Sequence, residues 1–284
     1  MANKLPEFKG KPLIEIPAFI PSANFLEGDF GKAVLEEYQG RAKADYANAS
    51  ALNVLSYDNG VINGSNPFAV VLVNQIIGQE GLRTANQADL ERVLRVNALP
   101  LRGQYEDSAL VLRSEDNPNE YLAKNLMVQI KARNPKAEMP AMVPLSGLEL
   151  VADLNSPHKL GFKLKENAQV FYDLSILNKD GNFSSEDIDV SIGLPKKTGD
   201  NGNRHLYTRN SGLSRLYLYG YLGVVSDSGS LAGSYGDGRV VVVSAEGTLQ
   251  NLDRYMSQLQ QEANNQKAEI DKRFNQAKKV LLDK

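Results

Sequence analysis

The chain has 284 residues, 42% of them hydrophobic and 23% charged, with a formal net charge of −2 and neither cysteine nor tryptophan. Length and composition suit a globular protein with a sizeable buried core. The near-neutral charge argues against a dedicated nucleic-acid binder, which carries a basic face, and the missing thiols exclude disulfides, thiolate metal sites and cysteine nucleophiles.

In chain order, residues 1–30 place Pro6, Pro12, Pro17 and Pro21 among Leu13, Ile14, Ile16, Phe19 and Ile20. Proline fixes φ and removes a donor, so an extended arm is expected, seated on the domain behind it or on a neighbouring subunit. The first residues lack the continuous apolar stretch of a signal peptide, and no apolar run approaches the length of a membrane span. The expected setting is therefore the cytoplasm or a virus particle assembled there. A helix is expected at 30–51, followed by a short strand at 53–57 and a turn at Asp58-Asn59-Gly60. Ser65-Asn66-Pro67 is a helix start, with a polar cap and proline at the first helical position. The helix it opens, 68–79, is apolar nearly all round and should be buried. Leu90, Val93 and Leu94 give 86–96 an amphipathic helical pattern. Residues 109–112 read as a strand. Asn117-Pro118 opens a helix to Arg133 with Leu122, Leu126 and Ile130 on its core face.

From Met139 the texture becomes β-like, with short pieces at 141–143, 148–151, 161–164 and 169–172. Residues 178–204 are a long polar stretch, of a length that in a compact domain marks function or disorder. The β-branched run 240–243 is typical of a central strand. Residues 248–284 contain no proline and repeat Leu249, Leu252, Met256, Leu259 and Ala263, then Ile270, Phe274, Ala277 and Leu281, at spacings of three and four. This is the pattern of a long helix with one apolar stripe, which either packs on its own domain or joins copies into a homo-oligomer.

The most distinctive stretch is GLSRLYLYGYLGVVSDSGSLAGSYGDGRVVVVS, residues 212–244. Over 216–225 a period of two sets Leu216, Leu218, Gly220, Leu222 and Val224 against Tyr217, Tyr219, Tyr221, Gly223 and Val225. In a strand this buries the leucines and exposes the tyrosines. Leu231 and Ala232 then stand as apolar anchors among Ser, Gly, Asp and Tyr, while Lys, Glu, Gln, Met and Trp are absent from 216–238. Loops rich in Tyr, Ser and Gly are the composition of antibody binding loops, where tyrosine brings large amphipathic contact at low entropic cost. An ordinary glycine- and serine-rich turn region has the same composition.

This stretch resembles the variable proteins of diversity-generating retroelements. In that family a segment is rewritten by error-prone copying of a template repeat, with change confined to template adenines. Asparagine codons then become Tyr, Asp, Ser, Gly, Val or Ala, but not Lys, Glu, Gln, Met or Trp. Laid over 218–243, the resemblance implies exchangeable, ligand-binding positions at Tyr219, Tyr221, Gly223, Val225, Asp227, Ser228, Gly229, Ser230, Gly233, Tyr235, Gly236 and Asp237. Leu218, Leu222, Ser226, Leu231, Ala232, Ser234, Gly238 and Arg239 would be fixed scaffold. It further implies an α+β, C-type-lectin-like fold, with helices flanking small antiparallel sheets. That domain would cover 53–247, with its variable segment at 217–237, between an N-terminal arm and helix (1–52) and the C-terminal helix (248–284). The implied function is hypervariable binding of a protein or surface ligand, with no catalysis and no cofactor. The alternative is a structural or assembly protein that uses the arm and the terminal helix as oligomer contacts.

Other chemistry is weakly signalled. His158 and His205 are the only histidines and lie far apart in sequence, so no metal or catalytic role is expected. Residues 178–189 are rich in Asp, Asn and Glu, but an EF-hand frame puts Ile176 at its first ligand and Asp187 at its last. A solvated acidic loop is expected there. No glycine-rich phosphate loop precedes a helix, and no Gly-x-Ser-x-Gly elbow is present.

Overall fold

The computed structural model describes residues 7–8, 11–12 and 23–244, together with Lys267 and Lys278. The chain divides into two compact units, Met1–Val243 and Ser244–Lys284. In the second, Lys267 and Lys278 are helical and exposed, and the apolar stripe read in 248–284 lies outside the described residues. The remainder of the proline-rich arm, residues 1–6, 9–10 and 13–22, also lies outside them.

The first unit is α+β. Strands β1 (Glu7–Phe8) and β2 (Lys11–Pro12) pair with each other, and β3 (Ala23–Phe25) leads into helix α1 (Gly28–Asp45). The helix ends earlier than expected, and a separate 3-10 turn covers Ser50–Leu52. Asn59 and Gly60 join β4 (Ser56–Asp58) to β5 (Val61–Asn63) with φ of 50° and 84°, the positive angles a two-residue hairpin needs. Helix α2 (Pro67–Ile77) opens as its sequence dictates: the Asn66 side chain accepts from Ala69 N at 2.8 Å, ahead of a helix buried almost throughout. After β6 (Leu82–Thr84), helix α3 (Gln87–Arg95) carries a reciprocal cap between Asn86 and Asp89.

Strand β7 (Glu106–Leu112) is buried along its whole length. Helix α4 (Glu120–Arg133) begins beyond Pro118, because Asn119 adopts the left-handed conformation before it. Strands β8 (Ala141–Pro144), β9 (Leu148–Ala152), β10 (Leu160–Leu164), β11 (Gly181–Phe183), β12 (Ile188–Asp189), β13 (Leu194–Pro195), β14 (Arg204–Tyr207), β15 (Leu213–Leu218), β16 (Val224–Val225) and β17 (Val241–Ser244) complete the unit. Residues 169–172 form no strand; Phe171 alone bridges to Met142. The polar stretch 178–204 is ordered into β11 to β13 and short 3-10 turns.

Six strands form the central sheet, in the order β11-β14-β16-β15-β7-β8, antiparallel except between β14 and β16. Both faces are covered, which explains why β7 reads as a continuous buried run. Leu110, Leu112 and Leu213 face a core shared with Phe68, Leu72, Leu126 and Ile130, and Val34, Leu35 and Tyr38 of α1 join that same core. Ala109, Val111, Leu216 and Val224 face a second core with Phe183 and Leu206. The run at 240–243 does become a central strand: β17 lies between β3 and β6 in a three-stranded sheet. Among the described residues no helix is long and apolar enough to cross a membrane.

Candidate ligand-binding surface

The period-two run at 216–225 is not one strand. Strand β15 stops at Leu218 and the chain reverses over 219–222, where Leu222 N donates to the Tyr219 carbonyl at 2.6 Å and Tyr219 N to the Gly223 carbonyl at 2.8 Å. Strand β16 then returns antiparallel, setting Val224 opposite Leu218 and Val225 opposite Tyr217. The turn is fastened from outside: Gly103 N donates to the Gly220 carbonyl, and Arg204 Nε donates to that of Leu222. Arg204 is itself held by a bidentate, buried pair with Glu91, at 2.6 Å to each carboxylate oxygen.

The hairpin carries a run of aromatic rings. Tyr217, Tyr219 and Tyr221 follow one another edge to face, at centroid separations of 6.4 and 5.6 Å. Tyr105 continues the series 5.7 Å from Tyr217, and Tyr235 closes it 6.4 Å from Tyr105. Tyr221 and Tyr235 are 78% and 74% exposed and Tyr219 39%. Burial pushes the Tyr217 phenol up to about 12, against the opposing pull of Arg215.

Beyond β16 the chain runs irregularly to β17, and its hydrogen bonds follow a clear division. At some positions the side chain makes the contact. The Ser226 hydroxyl accepts from Arg113 at 2.8 Å, Leu231 is buried in the main core, and the Ser234 hydroxyl accepts from Ser65 N at 2.9 Å. Gly238 has no room for a side chain: a Cβ there would lie 2.7 Å from Ser65 N. At other positions only the main chain is used. The Ser228 carbonyl accepts from Arg215 N, the Gly229 carbonyl from Asn119 Nδ2, and the Gly233 carbonyl from Arg215 Nη1, while Tyr235 N donates to the Tyr105 hydroxyl. Among the described residues, the side chains of Tyr219, Tyr221, Asp227, Ser228, Ser230, Tyr235 and Asp237 make no hydrogen bond within the chain.

A buried ion pair lies beneath this surface. Arg215 and Asp107 are 3% and 4% exposed, paired through Nε at 2.6 Å and through Nη2, and the Ser65 hydroxyl donates to the same carboxylate at 2.6 Å. The guanidinium lies 5.2 Å from the Tyr105 ring and 4.8 Å from that of Tyr217. Above it opens a cavity of about 500 Å³ whose wall includes Tyr105, Tyr217, Tyr219, Tyr235, Ser230 and Asp237. A smaller concavity of about 250 Å³ shares Tyr219 and adds Tyr221, Gly223, Tyr207 and His205.

The twelve positions named from the sequence therefore divide. Tyr219, Ser228, Ser230, Gly233, Tyr235 and Asp237 line the larger cavity and Tyr219, Tyr221 and Gly223 the smaller; Asp227 and Gly236 are exposed beside them. Two differ from the outward placement expected. Gly223 and Val225 are buried, because the hairpin returns them into a sheet covered on both faces. Gly229 is confined as well, since a Cβ would lie 2.7 Å from the Pro118 ring, whereas Gly236 has nothing within 4 Å. Gly229→Asn is accordingly expected to cost about 1–3 kcal/mol by overpacking, and Gly236→Asn within about 0.5 kcal/mol. Urea unfolding of the two variants checks this, and equal losses would contradict it.

Tyr105 and Arg215 are central to the site and were missed by the reading of the sequence. Tyr105 lies more than a hundred residues before the segment; Arg215 stands within the quoted stretch as an ordinary charged residue. The two histidines have separate roles: burial lowers the pKa of His158, which packs 5.3 Å from Phe68, whereas the His205 ring nitrogens lie 2.8 Å from Asn182 and 2.9 Å from Asp180. Among the described residues no cluster of three His, Asp or Glu side chains is placed to hold a metal ion. Comparison of the chain with protein-family models, with curated proteins and with solved structures finds no match.

Proposed function

We propose that this chain is a hypervariable binding protein, in which the surface along 217–237 receives a protein or surface ligand and is rewritten by a diversity-generating retroelement. It works by binding and not by catalysis. In this reading the α+β unit is a C-type-lectin-like domain with α2 and α4 as its flanking helices.

The observation that carries the reading is the division of contacts along the loop. Positions the resemblance marks as fixed, Ser226, Leu231, Ser234 and Gly238, touch the rest of the chain through side chains or through the lack of one. Positions it marks as exchangeable, among them Ser228 and Tyr235, are held through main-chain atoms that every residue type except proline supplies in full. Side chains can then change while the backbone stays in place. Spread over two concavities, these residues amount to roughly half of one side of a standard interface, enough for modest affinity at a single site.

A pair of libraries tests it. Randomising Tyr219, Tyr221, Asp227, Ser230, Tyr235 and Asp237 is expected to leave most members folded within about 2 kcal/mol of the parent, and to yield binders for different immobilised proteins. Randomising Ser226, Leu231 and Ser234 is expected to abolish cooperative unfolding in most members. Libraries that unfold alike would sink the proposal. Near the gene, a near-identical repeat differing only at template adenines is expected; its absence would remove the retroelement and leave the binding surface standing.

A further inference from the structure

Resting on the binding reading above, we infer that the tyrosine-lined cavity of this chain receives a basic side chain, arginine or lysine, presented by a protein partner. The walls are made for a cation. Tyr105, Tyr217, Tyr219 and Tyr235 all line the cavity, and successive rings meet at 69°, 81° and 76°. Rings set nearly perpendicular to their neighbours enclose a corner on several sides, where a flat stack would offer one face. The quadrupole of each ring presents negative charge at its face, and a cation within about 6 Å is attracted to it.

Charge points the same way. The exposed Asp237 carboxylate stands on the cavity wall with no hydrogen bond among the described residues. The cation already at the floor, Arg215, is matched by the buried Asp107 carboxylate and spends Nη1 on the Gly233 carbonyl. Two further arginines of this region, Arg209 and Arg239, are not among the residues lining the cavity. Arg209 donates to the carbonyls of Ser211 and Asp227, and Arg239 to those of Gly236 and Gly238. Glu106 is not among the residues lining the cavity; burial first and then Asp107 push its carboxyl well above the usual carboxylate range. Among the lining residues and the carboxylate paired beneath them, one guanidinium stands against two carboxylates, and with Arg215 over Tyr105 and Tyr217 the rings of Tyr219 and Tyr235 are left for an incoming cation. An acidic ligand would meet the opposite balance.

The test uses the full chain and four small probes, all N-acetylated so that only the side chain can carry charge: arginine amide, lysine amide and their uncharged counterparts citrulline amide and norleucine amide. Binding is followed by shifts of the tyrosine ring protons in NMR. The cationic probes are expected to bind about tenfold more tightly than the neutral ones and to weaken as salt is added. Asp237→Asn should weaken them about threefold while leaving the neutral probes unchanged, and Tyr235→Ala should weaken them about fivefold. Both residues are exposed, so neither substitution threatens the fold. Equal binding of charged and neutral probes, preference for N-acetylglutamate, or no ring shifts with any probe would each overturn the inference. Libraries that tolerate exchange in a chain indifferent to arginine amide would remove this inference alone; libraries that unfold would remove the binding reading itself.

Discussion

Asp107→Ala is expected to destabilise the chain by about 3–5 kcal/mol, the cost of breaking a buried ion pair from one side. The carboxylate stands near the start of β7, nearly inaccessible, and accepts from Arg215 and from Ser65. Without it the Arg215 guanidinium is an unmatched charge between two aromatic rings, and the arginine cannot shed its proton at any working pH. It would have to turn outward, releasing the Gly233 carbonyl that it holds at 2.8 Å. The loss is therefore felt twice, in global stability and in the order of the loop. Urea unfolding measures the first, and hydrogen exchange at Tyr235 N, which donates to Tyr105, reports the second. Removing both partners in Asp107→Ala/Arg215→Ala should cost less than the sum of the single changes, because the second removes the charge that the first stranded. A loss below about 1 kcal/mol for Asp107→Ala would mean the pair does not organise the site.

Leu231→Ala is expected to cost about 2–5 kcal/mol, while Ser230→Ala, one residue earlier, should stay within about 0.5 kcal/mol. Leu231 is 1% exposed and enters the core shared by α2 and α4; Ser230 faces the cavity. The contrast across a single peptide bond tests whether an irregular segment, with no ladder to hold it, is pinned by one apolar side chain. Thermal unfolding of both variants decides it, and near-ultraviolet circular dichroism, free of tryptophan, reads the tyrosines directly. Similar losses in the two variants would show that the loop is held diffusely, and the exchange of its neighbours would then carry a stability cost.

Much of the fold was legible where the cause is local. The Asn66-Pro67 start of α2, the Asn59-Gly60 hairpin and the β-branched strand at 240–243 are written in adjacent residues. Leu231 was legible as an apolar anchor among small polar residues. The reversal at 219–222 was not, because a period of two survives a tight hairpin: Leu218 and Val224, opposite each other across the turn, still both face inward. The same blindness placed Gly223 and Val225 outside, when the return strand carries them under cover. Pro118 looked like the first residue of a helix that in fact waits until Glu120, since Asn119 spends its side chain on the carbonyls of Leu213 and Gly229. Tyr105, Asp107 and Arg215 were beyond reach for a different reason: their partnership joins strands about a hundred residues apart, and nothing in either neighbourhood announces it.

The spacing of the loop's anchors has a consequence for how such a surface can evolve. Ser226, Leu231, Ser234 and Gly238 meet partners just past β7, in the main core and just before α2, each at a fixed arc length from β16. An inserted or deleted residue anywhere between them would slide every later anchor off its partner at once. On the proposed reading, diversity would be confined to changes of side-chain identity at constant chain length, since recombination or slippage that alters the count would misfold the loop.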